Sequence, residues 1–387
     1  MKLIYLFTAP LIGARVVTLQ QQAAIRGEEI ERNGVNPIVH DETAPVVGIH
    51  FTTSYAVAAA RYQNGTMRDL GKVLGDAEYI DLMSRWTEWD RDSRKNRQEC
   101  HHYQSYRYIS TAEAMVRRFH CNALLLQRSV RKVLGLPASS EAATLSAFMK
   151  KLRSAIEVEL DAPVTSIAPA FPRLPPYVEE DVQEAMSFSG LASTRTPRSS
   201  DETVYGEVNA AYAGLGHGLC SSAKSDMGCE DIAPAKEQTV VYFNFDNSSF
   251  SVGVMSFQHA FQSHRVNCDG SDSKLGWWNL PVFEVPRTKF WAQIHEMILN
   301  VLQPISRPPN RIVLLGDHGA DEDFKEVVKA AMWEQFEFDV EMMLSAVKKE
   351  DAGKLAARGA AEMGWLDEQR RSESEALRQG SSIVEEL

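Results

Sequence analysis

Two well-separated stretches of this chain are written on one plan. Val46-Val47-Gly48-Ile49-His50-Phe51 is a run of strand formers, followed by a Thr/Ser turn and a second run from Tyr55 to Ala60. Thr239 to Phe245, the polar turn Asp246-Asn247-Ser248-Ser249, and Phe250 to Met255 repeat the arrangement. β-Branched and aromatic residues on both sides of a polar turn predict a hairpin. After the first hairpin, Asn64-Gly65 supplies type I′ turn chemistry and predicts an antiparallel meander. The likeness is of architecture and not of residues, and it predicts two lobes built alike.

Between and after the hairpins the pattern is helical. Thr111 to Val133 carries apolar residues at helical spacing (Ala112, Met115, Val116, Phe119, Leu124, Leu125, Val130, Val133), closed by Gly135 and Pro137. A helix from Glu141 to Val158 leads into a short buried strand, Val164 to Ala168. The prolines at 169 to 176 are expected to break the chain before a helix at Val178 to Ser187. Residues 192–202 and 214–236 read as loops. Phe290 to Val301 reads as a helix, Arg311 to Leu315 as a buried strand, and Asp321 to Met332 as a helix entered through Gly316-Asp317-His318-Gly319. Beyond Gly364 the chain is charged and has no apolar face, which predicts a solvated helix.

A formal net charge of −11, with no basic stripe of useful length, argues against a nucleic-acid partner. No later run approaches the ~18 apolar residues of a membrane-spanning helix. The start, Met1 to Ala14, has one Lys and a short apolar core ending in Gly13-Ala14, which fits a signal peptide; the alternative is a buried strand. The signal reading places the protein outside the cell or in the endoplasmic reticulum, the other in the cytoplasm. Residues 15–44 read as a linker or a loose helix. Cys220 and Cys229 would pair only in a secreted chain, and Asn64-Gly65-Thr66 and Asn247-Ser248-Ser249 are glycosylation acceptors under the same condition.

In collinear order the segments resemble the actin-like ATPase superfamily, and within it the nucleotide-binding domain of the heat-shock seventy-kilodalton chaperones. Residues 46–65 (VVGIHFTTSYAVAAARYQNG) are similar to that family's first phosphate hairpin. Residues 240–255 (VVYFNFDNSSFSVGVM) are similar to the second, 205–218 (YGEVNAAYAGLGHG) to the connecting segment, and 312–328 (IVLLGDHGADEDFKEVV) to the adenosine segment. Residues 164–191 and 356–364 resemble the family's Pro-containing strand and its closing helix. The resemblance implies an α/β chain with a two-lobed actin-like ATPase fold, a duplicated ribonuclease H-like unit. Its first lobe would span 45–190, a shortened second lobe 191–364, and a charged tail 365–387. It implies ATP or ADP with Mg as cofactor, and a nucleotide as partner.

Carried over residue by residue, the phosphate machinery is depleted. Gly48 matches a hairpin glycine, but the family's Asp falls on His50 and a Gly on Thr52, with hydroxyls kept at Thr53 and Ser54. In the second hairpin the Asp falls on Asn244, and three glycines fall on Asp246, Asn247 and Ser248, with Ser249 at the hydroxyl position. Glu207 is the one retained acidic residue and so the candidate catalytic group; Gly316 survives in the adenosine segment. Phosphate-cradling hairpins need backbone N–H groups freed of Cβ bulk, and carboxylates to place magnesium. These losses favour a pseudo-ATPase or weak nucleotide binder lacking a peptide-binding domain. The alternatives are an active ATP hydrolase using Glu207, Thr53 and Ser249, and a scaffold or decayed paralogue that binds no nucleotide.

Other clusters read blandly. Cys100-His101-His102 with His120 and Cys121 matches no zinc spacing. Asp317-His318 with Asp321 and Asp323 reads as an Asp-rich helix start, not a calcium loop. Trp277-Trp278 reads as packing.

Overall fold

The computed structural model describes residues 45–88, 112–172, 179–195, 203–219, 237–262, 265–345 and 351–385. The N-terminal apolar run, residues 15–44, Cys100-His101-His102, and Cys220 with Cys229 lie outside them. The chain is mixed α/β with two mixed sheets. The first sheet opens with the meander β1 (Val46–Phe51), β2 (Tyr55–Arg61) and β3 (Met67–Leu74). Helices α1 (Ala77–Glu88), α2 (Ala112–Val133) and α3 (Ser140–Leu160) follow. Then β4 (Ser166–Phe171) joins β1 in parallel, with Gly48 opposite Ala168. Helix α4 (Glu179–Phe188) and the two-residue strands β5 (Ala192–Ser193) and β6 (Tyr205–Gly206) complete it, both strands pairing with β4. Helix α5 (Glu207–Gly214) leads to the second meander, β7 (Gln238–Phe245), β8 (Phe250–Phe257) and β9 (Arg265–Asp272). After α6 (Glu284–Leu302), β10 (Arg311–Leu315) joins β7 in parallel, and α7 (Glu322–Phe336), α8 (Glu341–Ser345) and α9 (Leu355–Glu385) end the chain.

The strand orders are β3-β2-β1-β4-β5 and β9-β8-β7-β10, so the repeated sequence plan is a repeated sheet plan. Both first strands are central and covered on both faces, which is why they read as unbroken apolar runs. Their side chains alternate between two environments. Val47, Ile49 and Phe51 join Phe148, Met149 and Leu152 of α3 in one core. Val241, Phe243 and Phe245 join Phe290, Ile294 and Phe324 in a second. The opposite faces, through Ala168, Ala170, Val240, Tyr242, Val313 and Leu315, share a third core with α5 and the first turns of α9.

The pairing of α5 with α9 depends on residue size. A Cβ on Gly359 would lie 1.7 Å from the Ala210 carbonyl oxygen, and one on Gly48 would lie 2.2 Å from the Ala361 nitrogen. Only glycine lets these backbones approach so closely. Elsewhere, Ser139 caps α3 by accepting from the Ala142 N–H at 2.9 Å, a bond worth about 1 kcal/mol.

The structure corrects two expectations and adds two findings. The Asn64-Gly65 turn is not type I′: only Gly65 takes positive φ (+84°), and its N–H donates to the Tyr62 carbonyl. Pro169 does not break the chain but sits inside β4. The Thr165 and Ile167 carbonyls face β5, so the missing Pro169 N–H falls on the same edge, between the end of β5 and the start of β6, where no ladder bond is lost. The stripe on α2 is helical but faces outward: Met115, Val116, Phe119, Val130 and Val133 are exposed, Phe119 at 80%. β9 is a strand that its Asp- and Asn-rich sequence does not announce. Among the described residues no helix is long and apolar enough to cross a membrane.

Candidate functional site

The two hairpin turns meet. Between β1 and β2, Thr52 shapes its own turn: its hydroxyl oxygen accepts from the Ser54 and Tyr55 N–H groups at 3.2 and 3.1 Å. The Tyr79 hydroxyl fixes the Thr52 carbonyl at 2.5 Å. This conformation sends Thr53 and Ser54 into the turn between β7 and β8. Thr53 donates to Asp246 at 2.8 Å, receives the Ser248 hydroxyl at 2.8 Å, and lies 2.7 Å from the Ser249 hydroxyl. Ser54 donates to the same carboxylate at 2.9 and 3.0 Å. All five residues are buried. Behind the second turn, Trp277 and Trp278 donate their N–H groups to the Asp246 and Asn247 carbonyls, and a Cβ on Gly276 would collide with Ser248 at 2.3 Å.

A second cluster sits deeper. Glu207, at the start of α5, accepts from Asn244 of β7 at 3.0 Å and meets the His50 Nε2 of β1 at 3.1 Å. The proton on Nε2 follows from its facing a carboxylate. The His50 Nδ1 and Asn244 Oδ1 are buried with no partner among the described residues.

A third cluster flanks the second turn. Asn247 donates to Asp317 at 2.9 Å and its oxygen receives His318 Nε2 at 2.9 Å. Lys72, on β3, pairs with Asp317 and lies 4.1 Å from the centre of the Tyr55 ring. Trp277 stacks on His318 at 4.0 Å. The turn at Gly316, φ +84°, brings its backbone against Phe245 and Asn244, where a Cβ would meet the Phe245 oxygen at 2.4 Å.

Burial raises the Asp246 pKa, and the Asp317 charge adds to it, against hydrogen bonds from Thr53, Asn247 and Ser54 that lower it. Tyr55 is held well above the usual phenol value, first by burial and then by Asp246 and Asp317. Tyr79 is raised likewise by burial and then by Asp246 and Asp76.

Of the residues singled out in the sequence, Thr53, Ser54, Ser248 and Ser249 converge on one point, Asn247 borders it, and Glu207 occupies the neighbouring cluster. Gly48 lies against α9 and Thr52 closes its own turn. Lys72 escaped the sequence reading because nothing local marks a Lys in an exposed strand. Asp317, Asp321 and Asp323 serve separate partners: Lys72, the α7 N-terminus and Arg287. Trp277 packs, as expected. Cys121 is disulfide-bonded, so its sulfur is no zinc ligand. Among the described residues no three His, Cys, Asp or Glu side chains form a metal-holding group.

The donor set does not fit a magnesium nucleotide. A phosphate between the turns would displace Thr53 from Asp246 and set its charge against a buried carboxylate. Beside the turns stand an imidazole, His50, and an amide, Asn244, and the one carboxylate among them, Glu207, is engaged with both. Neither protein-family models nor curated proteins match the chain.

Proposed function

We propose that this chain is a degenerate actin-like domain of the heat-shock-chaperone kind, a pseudo-ATPase that acts as a scaffold without hydrolysing ATP. One observation carries the reading: Thr53 and Ser54 of the first turn bond directly to Asp246, Ser248 and Ser249 of the second. In the resembled family a nucleotide's phosphates lie between these turns. Here the turns satisfy each other. Phosphoryl transfer rests on positioned cations and donors around the developing charge. The one retained acidic residue, Glu207, is committed to His50 and Asn244. The duplicated strand order and the helix pair between the sheets support the actin-like assignment.

The test is a thermal-shift titration of purified protein with ATP and ADP, with and without magnesium, alongside a turnover assay. A ligand that binds only the folded state raises the melting temperature by mass action. The proposal expects no shift at millimolar nucleotide and no turnover above background. A magnesium-dependent shift with turnover would establish the active ATPase instead, and a shift without turnover the weak binder.

A further inference from the structure

We infer that Asn64 accepts an N-linked oligosaccharide and that Asn247, in the chain's second Asn-x-Ser/Thr triplet, does not. Asn64, Gly65 and Thr66 are all exposed in the turn between β2 and β3. The Asn64 Oδ1 accepts from the Thr66 N–H at 2.9 Å and from the Thr66 hydroxyl at 2.7 Å. Both bonds fall on the oxygen. They polarise the amide and leave Nδ2 as the reacting atom. Nothing lies within 4 Å of where a Gly65 side chain would begin, so the turn has room for a bulky substituent.

Asn247 is placed in the opposite way. Its Nδ2 donates to Asp317, its Oδ1 receives His318, and its N–H donates to Asp246. A sugar on that nitrogen would break the Asp317 bond and wedge the two hairpin turns apart. Both triplets satisfy the acceptor pattern, and the fold leaves one open and engages the other.

The compartment rests on a separate observation. Cys121 is disulfide-bonded, and such bonds persist in oxidising surroundings. The apolar run from Leu3 to Ala14 supplies a route there. The transfer balances without redox chemistry. Asn64 Nδ2 attacks the anomeric carbon of a lipid-pyrophosphate-linked oligosaccharide, the bond from that carbon to the pyrophosphate oxygen breaks, lipid pyrophosphate leaves with the electron pair, and Nδ2 gives up one proton.

The full chain with its own N-terminus, expressed in a eukaryotic secretory host, tests this. Peptide-N-glycosidase should increase gel mobility and leave Asp at position 64 by peptide mass. Asn64→Gln and Thr66→Ala should each abolish the shift, Thr66→Ser should retain it in part, and Asn247→Gln should leave it unchanged. A shift lost with Asn247→Gln and kept with Asn64→Gln would overturn the assignment. A second arm carries a heterologous secretory leader in front of the chain. No glycan at Asn64 there overturns the site, and a glycan found only there overturns the chain's own entry into that route.

Discussion

The Thr53 hydroxyl donates to an Asp246 carboxylate oxygen at 2.8 Å across 193 positions of sequence, and both residues are buried. The bond joins the turn of one meander to the turn of the other. With Ser54, Ser248 and Ser249 it forms a polar plug whose members satisfy one another. A buried polar network of this kind is costly to disturb, because removing one partner strands the rest.

Asp246→Asn should differ from wild type in stability by an amount that depends on pH. The folded state holds the Asp246 proton to higher pH than the unfolded chain does. That contribution is fully present below the ordinary value of 3.8 and is lost as pH rises through the raised folded value. Asn cannot ionise and keeps an acceptor for the Asn247 N–H. The variant's melting temperature should therefore gain on wild type as pH rises from the ordinary value of 3.8 through the raised folded one. A gap that is constant with pH would count against the buried charge.

Glu207→Ala should cost about 2–4 kcal/mol in denaturant unfolding, because it strands the His50 Nε2 and Asn244 Nδ2 in a buried site. Glu207→Gln retains an acceptor and should cost less. Equal losses for the two variants would mean that packing, not hydrogen bonding, sets the effect.

Arg358 grips Asp69 with two hydrogen bonds, at 2.8 and 2.9 Å, and also holds Asp351. Its bonds are the main cause that lowers the Asp69 pKa. This contribution is present above the ordinary value of 3.8 and is lost as pH falls through the lowered one. The groups are partly exposed, so Arg358→Met should cost only about 0.5–1 kcal/mol at neutral pH. The difference between wild type and variant in thermal melts should shrink below about pH 4.

Gly359→Ala and Gly65→Ala should differ sharply. The first drives a methyl into the Ala210 carbonyl and forces α5 from α9, at about 3 kcal/mol or more. The second meets no atom but strains a φ of +84°, at about 1–2 kcal/mol. Chemical denaturation of both variants would rank them, and the reverse order would contradict the helix packing.

Phe119→Ser with Val133→Ser, on the outward face of α2, should change stability by less than about 0.5 kcal/mol, since neither side chain is buried. A large loss of stability would instead place this face in a core.

The periodicity of the chain alone determined the first meander, the hairpin that opens the second, and most helix positions, but not β9. Buried strands such as Arg311 to Leu315 and capped helices such as the one opened by Asp321 announce themselves locally. The helical period of residues 112–133 was equally legible, yet a period cannot say whether a partner covers the stripe. The hydroxyls and carboxylates of the two turns were visible as residue types, and Glu207 stood out through the resemblance carried by residues 205–218.

Only the tertiary structure decided what these groups do. Whether Thr53 faces a ligand or Asp246, whether Lys72 reaches Asp317, and which of two acceptor triplets is open to modification all depend on contacts between distant segments. The approach of α5 to α9, through glycines that look unremarkable in sequence, brings the two sheets to the separation at which their turns bond. Local propensity acts over a few residues. The state of the site is set by packing across the whole chain, which no local pattern encodes.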